Sequence, residues 1–220
     1  MPVTPGAPVA IVLAAGRSTR LGRNKLLESL GGVSMVQRAI NPFLESAKVH
    51  DVILVVPAGR QGLFLRQKGV HVHLVENPHP DGEMITSIRA GLDSGWAKGR
   101  AFLIQPGDVP FVPASVVSRL VVHLMTRPGK VVIPAYRGLG GHPTGFAADV
   151  REDFFLRGDR DGTREILLRH RQDTVRINVP EPDICFDVDT PEDLKIAMDS
   201  SARWARVEAE VEERKKSHLR

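Results

Sequence analysis

The sequence predicts an α/β fold with a mostly parallel sheet covered by helices on both faces, and three observations carry that reading. Short apolar, β-rich runs alternate with helical periodicity almost from end to end, the rhythm of right-handed βαβ units. Most of the runs are dominated by apolar, β-branched residues, as strands buried on both faces are. The chain has 220 residues, 42% of them hydrophobic, which suits one domain with a full core.

In chain order, "VAIVLAA", "DVILVVP", "VHVHLVE" and "RAFLIQP" read as strands at 9–15, 51–57, 70–76 and 100–106. Between them "SMVQRAINPFLESA", "GRQGLFLRQKG" and "MITSIRAGLDSGW" read as helices, with a kink or restart expected at Pro42. "PASVVSRLVVHLM" continues as a helix and "KVVIPAY" as a strand. From 137 the rhythm loosens into a Gly-rich loop and a short strand, then helical stretches near 149–157 and 162–170. A strand "TVRINV" and a further strand at "CFDVD" follow, and then one long helix over 191–217 with Thr190 as N-cap. A single domain is expected over 1–195, with 196–220 as a solvated helical extension.

Composition narrows the function classes. Cys185 is the only cysteine, which excludes an intramolecular disulfide or a multi-cysteine zinc site and suits a reducing compartment. It is expected as an inert thiol inside an apolar strand. No apolar run reaches the roughly twenty residues of a membrane span. The first ten residues lack the order of a signal peptide, so a soluble, cytoplasmic protein without a membrane partner is expected. Net charge is +4, but aromatics make up 5% with a single tyrosine, so a small anionic ligand is favoured over nucleic acid. His71 and His73 alternate along a strand and are expected on one solvated face.

In an open α/β sheet, ligands sit beyond the carboxyl ends of the strands. After the first strand come Ala14, Ala15, Gly16 and a loop with Arg17, Arg20, Arg23 and Lys25. Small residues with free N–H groups form an anion nest, and Arg20 and Lys25 add charge-assisted bonds to phosphate. Neither G-x-x-x-x-G-K-[ST] nor G-x-G-x-x-G is present. After the fourth strand, Gly107 and Asp108 stand where a carboxylate binds Mg²⁺. Asp187 and Asp189, two apart on the expected strand, point to one face, and a divalent cation would relieve their repulsion. Gly140, Gly141, His142, Pro143 and Thr144 form a tight loop with one polar head, suited to a second substrate. No G-x-S-x-G elbow is present, which argues against an α/β-hydrolase.

Together these residues resemble a known family. "LAAGRSTRLGRNKLL" is similar to the signature that opens the MobA-like nucleotidyltransferases, and "GDVPFV" and "FDVDTPEDL" are similar to their later elements. "GGHPTGF" and "GDRDGTREIL" resemble the molybdenum cofactor cytidylyltransferase branch, from which Thr19 and Glu83 depart. The resemblance implies a Rossmann-like three-layer αβα fold, that of the nucleotide-diphospho-sugar transferases. It implies that Leu13 to Gly16, Arg17 and Arg20 wrap the phosphates and that Lys25 neutralises charge at the reacting phosphorus. Gly107 and Ser87 would meet the nucleotide, with Asn77 and Met84 on the same wall. Asp108 and Asp189, with Asp187 nearby, would hold Mg²⁺ or Mn²⁺, and Gly141, His142 and Pro143 would meet the acceptor. The implied reaction transfers CMP from CTP to a phosphorylated acceptor such as molybdopterin, with a molybdoenzyme as a further partner class. The alternatives are a guanylyltransferase using GTP, another nucleotidyltransferase of this fold, or a nucleotide-binding module without turnover.

Overall fold

The computed structural model describes residues 6–16, 24–64, 71–79, 83–127, 129–156 and 162–218. The first strand, β1 (Val9–Leu13), is buried along its whole length. A two-residue hairpin, β2 (Ser29–Leu30) and β3 (Val33–Ser34), leads into α1 (Met35–Glu45). Then come β4 (Asp51–Pro57), β5 (Val72–Asn77), α2 (Met84–Asp93), β6 (Phe102–Pro106), α3 (Ala114–Thr126) and β7 (Val131–Tyr136). The C-terminal part holds β8 (Leu139–Gly140), β9 (Thr144–Phe146), α4 (Gly162–Arg169), β10 (Thr174–Asn178), α5 (Pro191–Ile196) and α6 (Ser200–His218).

Among the described residues the main sheet has the order β10-β7-β9-β6-β1-β4-β5, with β8 paired to β7. β1 runs parallel to β4 and β6, β4 to β5, and β7 to β10; β9 is antiparallel to both β6 and β7. The register aligns Leu13 with Pro106 and Pro57 with Asn77, so the strands end along one edge. That edge receives the site.

Both faces of the sheet are covered at its centre, which is why β1, β4 and β6 carry little polar alternation. Ala10, Val12, Leu54 and Leu103 face α1 and α3, while Val9, Ile11, Ile53 and Phe102 face α2. On the α2 side, a Cβ on Gly91 would stand 2.7 Å from Ile11 Cγ2, so the helix packs directly on β1. Phe102, Phe146 and Phe154 stack there with ring centroids 5.2–5.7 Å apart.

Several elements differ from the sequence reading. Helix α1 runs through Pro42 without a break. The proline falls in its last turn, where few hydrogen bonds depend on it, and it is buried beside Phe43. The stretch expected as a helix over 59–69 shows a 3-10 turn at Gln61–Phe64, and 65–70 lie outside the described residues. The long C-terminal helix is two helices, because Asp199 accepts hydrogen bonds from Ser201 N and Ala202 N and so caps a new start. Nor is α6 a solvated tail: Val207 and Val211 are 2% and 3% exposed and belong to the core. His73 is half-buried, donating or accepting across 2.8 Å to the buried Asp51 and stacking on Trp96 at 3.6 Å. No described helix is long and apolar enough to cross a membrane.

Candidate active site

The site is assembled where the loop after β6 meets the end of β1. Gly107 N–H donates to Leu13 O across 3.0 Å, and a Cβ on Gly107 would stand 2.8 Å from that oxygen. Only glycine permits this approach, and it sets Asp108 at the strand edge. Asp108 O in turn accepts from Val188 N at 2.9 Å, which draws in the chain just before α5. Residues 186–189 are therefore an extended segment docked on the β6 loop and not the sheet strand expected. Cys185 ends a 3-10 turn, Pro182–Cys185, and burial pushes its thiol up to about 12, so it is inert at neutral pH.

Lys25 completes the centre from the other side. Its 3-10 turn, Lys25–Leu27, is fixed by Asn24, whose side chain accepts from Leu26 N, and by the buried side chain of Leu26. The ammonium donates to Asp108 Oδ2 at 2.9 Å, Asp189 Oδ1 at 2.8 Å and Val188 O at 2.9 Å. Burial alone would lower the lysine pKa, but the charges and hydrogen bonds of Asp108 and Asp189 outweigh it and hold it above the ordinary value.

Asp187 faces the same cavity, about 440 Å³, as Asp108, Asp189, Gly141, His142 and Met84. Its carboxyl is held above the usual range, first by desolvation and then by the negative charges of Asp189 and Asp108. The His142 imidazole is pushed down to about 4 by burial, with the Asp108 charge working in the other direction. It is neutral at pH 7, and its buried Nδ1 has no hydrogen-bond partner among the described residues. The His142 backbone N–H donates to Ile184 O at 2.9 Å, and a Cβ on Gly141 would stand 2.5 Å from the same oxygen. Pro143 is buried behind this loop and follows a cis peptide bond.

The start of the expected phosphate loop lies among the described residues. Leu13, Ala14 and Ala15 are buried, and Ala14 N–H is already donated to Val55 O at 2.8 Å. That leaves Ala15 and Gly16, whose N–H groups have no backbone partner among the described residues; a Cβ on Gly16 would meet open space. Arg17 and Arg20 lie outside the described residues, as do 158–161 of "GDRDGTREIL". Asn77, 1% exposed at the end of β5, spends its amide inside the protein. Its Nδ2 donates to Ser87 Oγ at 2.9 Å, Thr86 Oγ1 at 3.0 Å and His79 O at 3.1 Å, and its Oδ1 accepts from His79 N. It thus orients Ser87, which is itself mostly buried on α2.

Asp108 and Asp189 are the carboxylates placed to share one cation, and hard oxygen donors suit Mg²⁺ or Mn²⁺. Among the described residues, no three His, Cys, Asp or Glu side chains form a metal cage. Mg²⁺ needs none, since it is commonly bound through one or two carboxylates together with substrate phosphates and water. Asp193, in the first turn of α5, is a supporting residue. Its Oδ2 accepts from Thr190 N, Thr190 Oγ1 and Asp189 N in a capping box, which holds the backbone beneath Asp189. The T-x-x-D spacing of Thr190 and Asp193 was a legible signal for it.

A family model described as "MobA-like NTP transferase domain" matches residues 10–175. A 2-C-methyl-D-erythritol 4-phosphate cytidylyltransferase of Rhodococcus opacus is 28% identical, over 87% of this chain and 94% of that protein. A molybdenum cofactor guanylyltransferase of Rhizobium johnstonii is also 28% identical, over 84% and 88%. Among solved structures, a nucleotidyl transferase from Methanothermobacter superimposes with a TM-score of 0.70 at 23% identity, covering 91% of this chain and 98% of that one. A manganese complex of Rv0371c from Mycobacterium tuberculosis gives 0.65 at 20% identity, over 88% and 99%.

Proposed function

The chain belongs to the MobA-like NTP transferase family, and on that premise we propose that it transfers CMP from CTP to a phosphorylated acceptor such as molybdopterin, releasing pyrophosphate. The observation that carries this reading is the convergence of Lys25, Asp108 and Asp189 at the strand edge. An acceptor phosphate oxygen attacks the α-phosphorus of CTP; the new P–O bond forms as the bond to the β-phosphate oxygen breaks. The acceptor phosphate is already ionised, so no protein nucleophile or base is needed, in keeping with the inert Cys185 and the neutral His142. Asp108 and Asp189 would hold Mg²⁺, which supplies charge neutralisation at the phosphates when bound.

Lys25 contributes a fixed positive charge beside the reacting phosphorus, and Arg20 adds a second from the loop. The N–H groups of Ala15 and Gly16 meet phosphate oxygens, with Arg17 beside them. Ser87, oriented by Asn77, faces the nucleoside, and Gly107 holds the Asp108 loop against β1. His142 and Gly141 form the wall between nucleotide and acceptor, backed by Pro143.

Transfer of GMP from GTP is the second reading, favoured by the molybdenum cofactor guanylyltransferase among the relatives. Incubation of the full chain and Mg²⁺ with α-labelled CTP or GTP, and with molybdopterin or 2-C-methyl-D-erythritol 4-phosphate, tests both. Labelled CMP on molybdopterin is the expected product. Transfer from GTP alone moves the protein to the second reading, and transfer from neither nucleotide to either acceptor overturns both.

A further inference from the structure

Beside the cavity of Asp108 and Asp189 lies a larger one, about 850 Å³, and the two share Leu139, Gly140, Gly141, His142 and Arg214 as a common wall. One side is apolar, with Ile133, Leu167 and Val211. The other carries four cations, Arg137, Arg176, Arg214 and Lys215, and no carboxylate lines the cavity among the described residues. Cationic side chains beside an apolar recess favour a ligand that joins an apolar body to negative charge.

The four cations are held differently. Arg137, Arg214 and Lys215 pair with Glu208, Glu210 and Glu212 at 2.8, 3.1 and 2.7 Å, pairs exposed enough to be exchanged for a ligand at little cost. Arg176 has no carboxylate partner among the described residues; its guanidinium lies against the turn at Gly138–Gly140, with one nitrogen 3.4 Å from Gly138 O. Arg176, Arg214 and Lys215 all lie beyond the residues matched by the family model. The helix that brings two of them is well anchored: Val207 and Val211 sit in the core, and Glu208 accepts from both Tyr136 Oη and Arg137.

We infer that this cavity takes an organic anion with an apolar body and at least two negatively charged groups. Resting on the nucleotidyl-transfer reading, that anion is the acceptor. Its reacting phosphate lies toward Lys25, and a second anionic group lies against Arg176 and Arg214. Helix α6, outside the common family domain, then determines which phosphorylated molecules are accepted.

The probe is pyrenetetrasulfonate, an apolar ring with fixed negative charges, titrated by fluorescence into the full-length protein, with uncharged pyrenemethanol as the comparison. Saturable binding of the tetrasulfonate is expected, weakened by salt and by about tenfold in each of Arg176→Gln and Arg214→Gln, as loss of a charge-assisted bond implies. Pyrenemethanol is expected to bind weakly and alike to all three proteins. Equal tetrasulfonate affinity in wild type and both variants, or its displacement by CTP with Mg²⁺, overturns the assignment. CTP-induced stabilisation is measured on the same proteins. If no nucleoside triphosphate stabilises even the wild type, the nucleotidyl reading falls and the acceptor assignment with it. Arginine-independent binding of the probe removes the second site alone.

Discussion

The Lys25 ammonium lies between two carboxylates that are 83 and 164 residues away in sequence, 2.9 Å from Asp108 and 2.8 Å from Asp189. Val188 O accepts a third hydrogen bond from the same ammonium, so the lysine is held by backbone as well as by carboxylates. Two carboxylates brought this close need a cation between them, and Lys25 supplies one from the protein itself.

Replacing Asp108 with alanine therefore removes function before it removes the fold. Lys25 keeps Asp189 and Val188 O as partners, and the Asp108 side chain is partly exposed. Nucleotidyl transfer is expected to fall by about 10²–10³ or more, the cost of losing one preorganised electrostatic contact, with the unfolding midpoint nearly unchanged. Steady-state kinetics beside thermal unfolding check this; near-normal kcat would refute the role given to Asp108.

Lys25 and a divalent ion compete for the same oxygens. Lys25→Ala should consequently bind Mn²⁺ more tightly than the wild type in the absence of nucleotide, measured by electron paramagnetic resonance. The same variant should lose about 2–4 kcal/mol of transition-state stabilisation, read as a fall in kcat/KM. Tighter metal binding with poorer catalysis separates the two roles of the lysine, and weaker metal binding would contradict the competition.

Three glycines of the site should respond differently to alanine. At Gly107 and Gly141 the new Cβ would stand 2.8 Å from Leu13 O and 2.5 Å from Ile184 O, so backbone must shift. A loss of about 1–3 kcal/mol is expected at each by urea denaturation. At Gly16 nothing among the described residues lies within 4 Å, so stability should hold, while triphosphate affinity falls because the methyl occupies the ligand's approach. Equal destabilisation at all three positions would mean that the strand-edge packing is not the constraint.

His142 gives the pH dependence a definite sign. Its pKa falls from 6.5 to about 4 on folding, so between these values the unfolded chain binds the extra proton. The contribution of the buried neutral imidazole is complete above pH 6.5, declines as the pH drops toward 4 and is constant below it. His142→Asn should flatten the stability profile across that window by up to about 1.4 kcal/mol per pH unit. Urea midpoints at several pH values test it, and an unchanged slope would show that His142 is not buried in its neutral form.

The sheet could be read from sequence because β1, β4, β6 and β7 are largely apolar runs of five to seven residues, buried along most of their length, while the half-buried β5 was legible from its alternating valines and leucine. The hairpin of β2 and β3 could not, since two-residue strands carry no periodicity. The break at Asp199 was hidden because the polar residues on either side suit a helix equally well. In the site, Lys25 and Asp108 were legible as residue types in the loops that follow β1 and β6, a consequence of where α/β sheets bind ligands, and Asp189 from its spacing with Asp187, although no sheet strand carries them. Their mutual contact was not, because it depends on Val188 N–H docking on Asp108 O, a pairing that no local pattern encodes. The free N–H groups expected from Ala14 onward were reduced by its bond to Val55, which comes from register between strands. The cations of α6 were visible only as mixed charge until the burial of Val207 and Val211 fixed which way the helix faces.

The most direct test of nucleotidyl transfer is the thermal stability of the full chain with CTP, GTP, ATP and NAD, each with and without Mg²⁺. A ligand at a hundred times its Kd adds about 2.7 kcal/mol, readily seen as a rise in Tm. A Mg²⁺-dependent rise with CTP, absent in Asp108→Ala, is the expected result. No rise with any triphosphate, or an equal rise in the variant, would contradict the assignment of this strand edge as a metal-assisted nucleotide site.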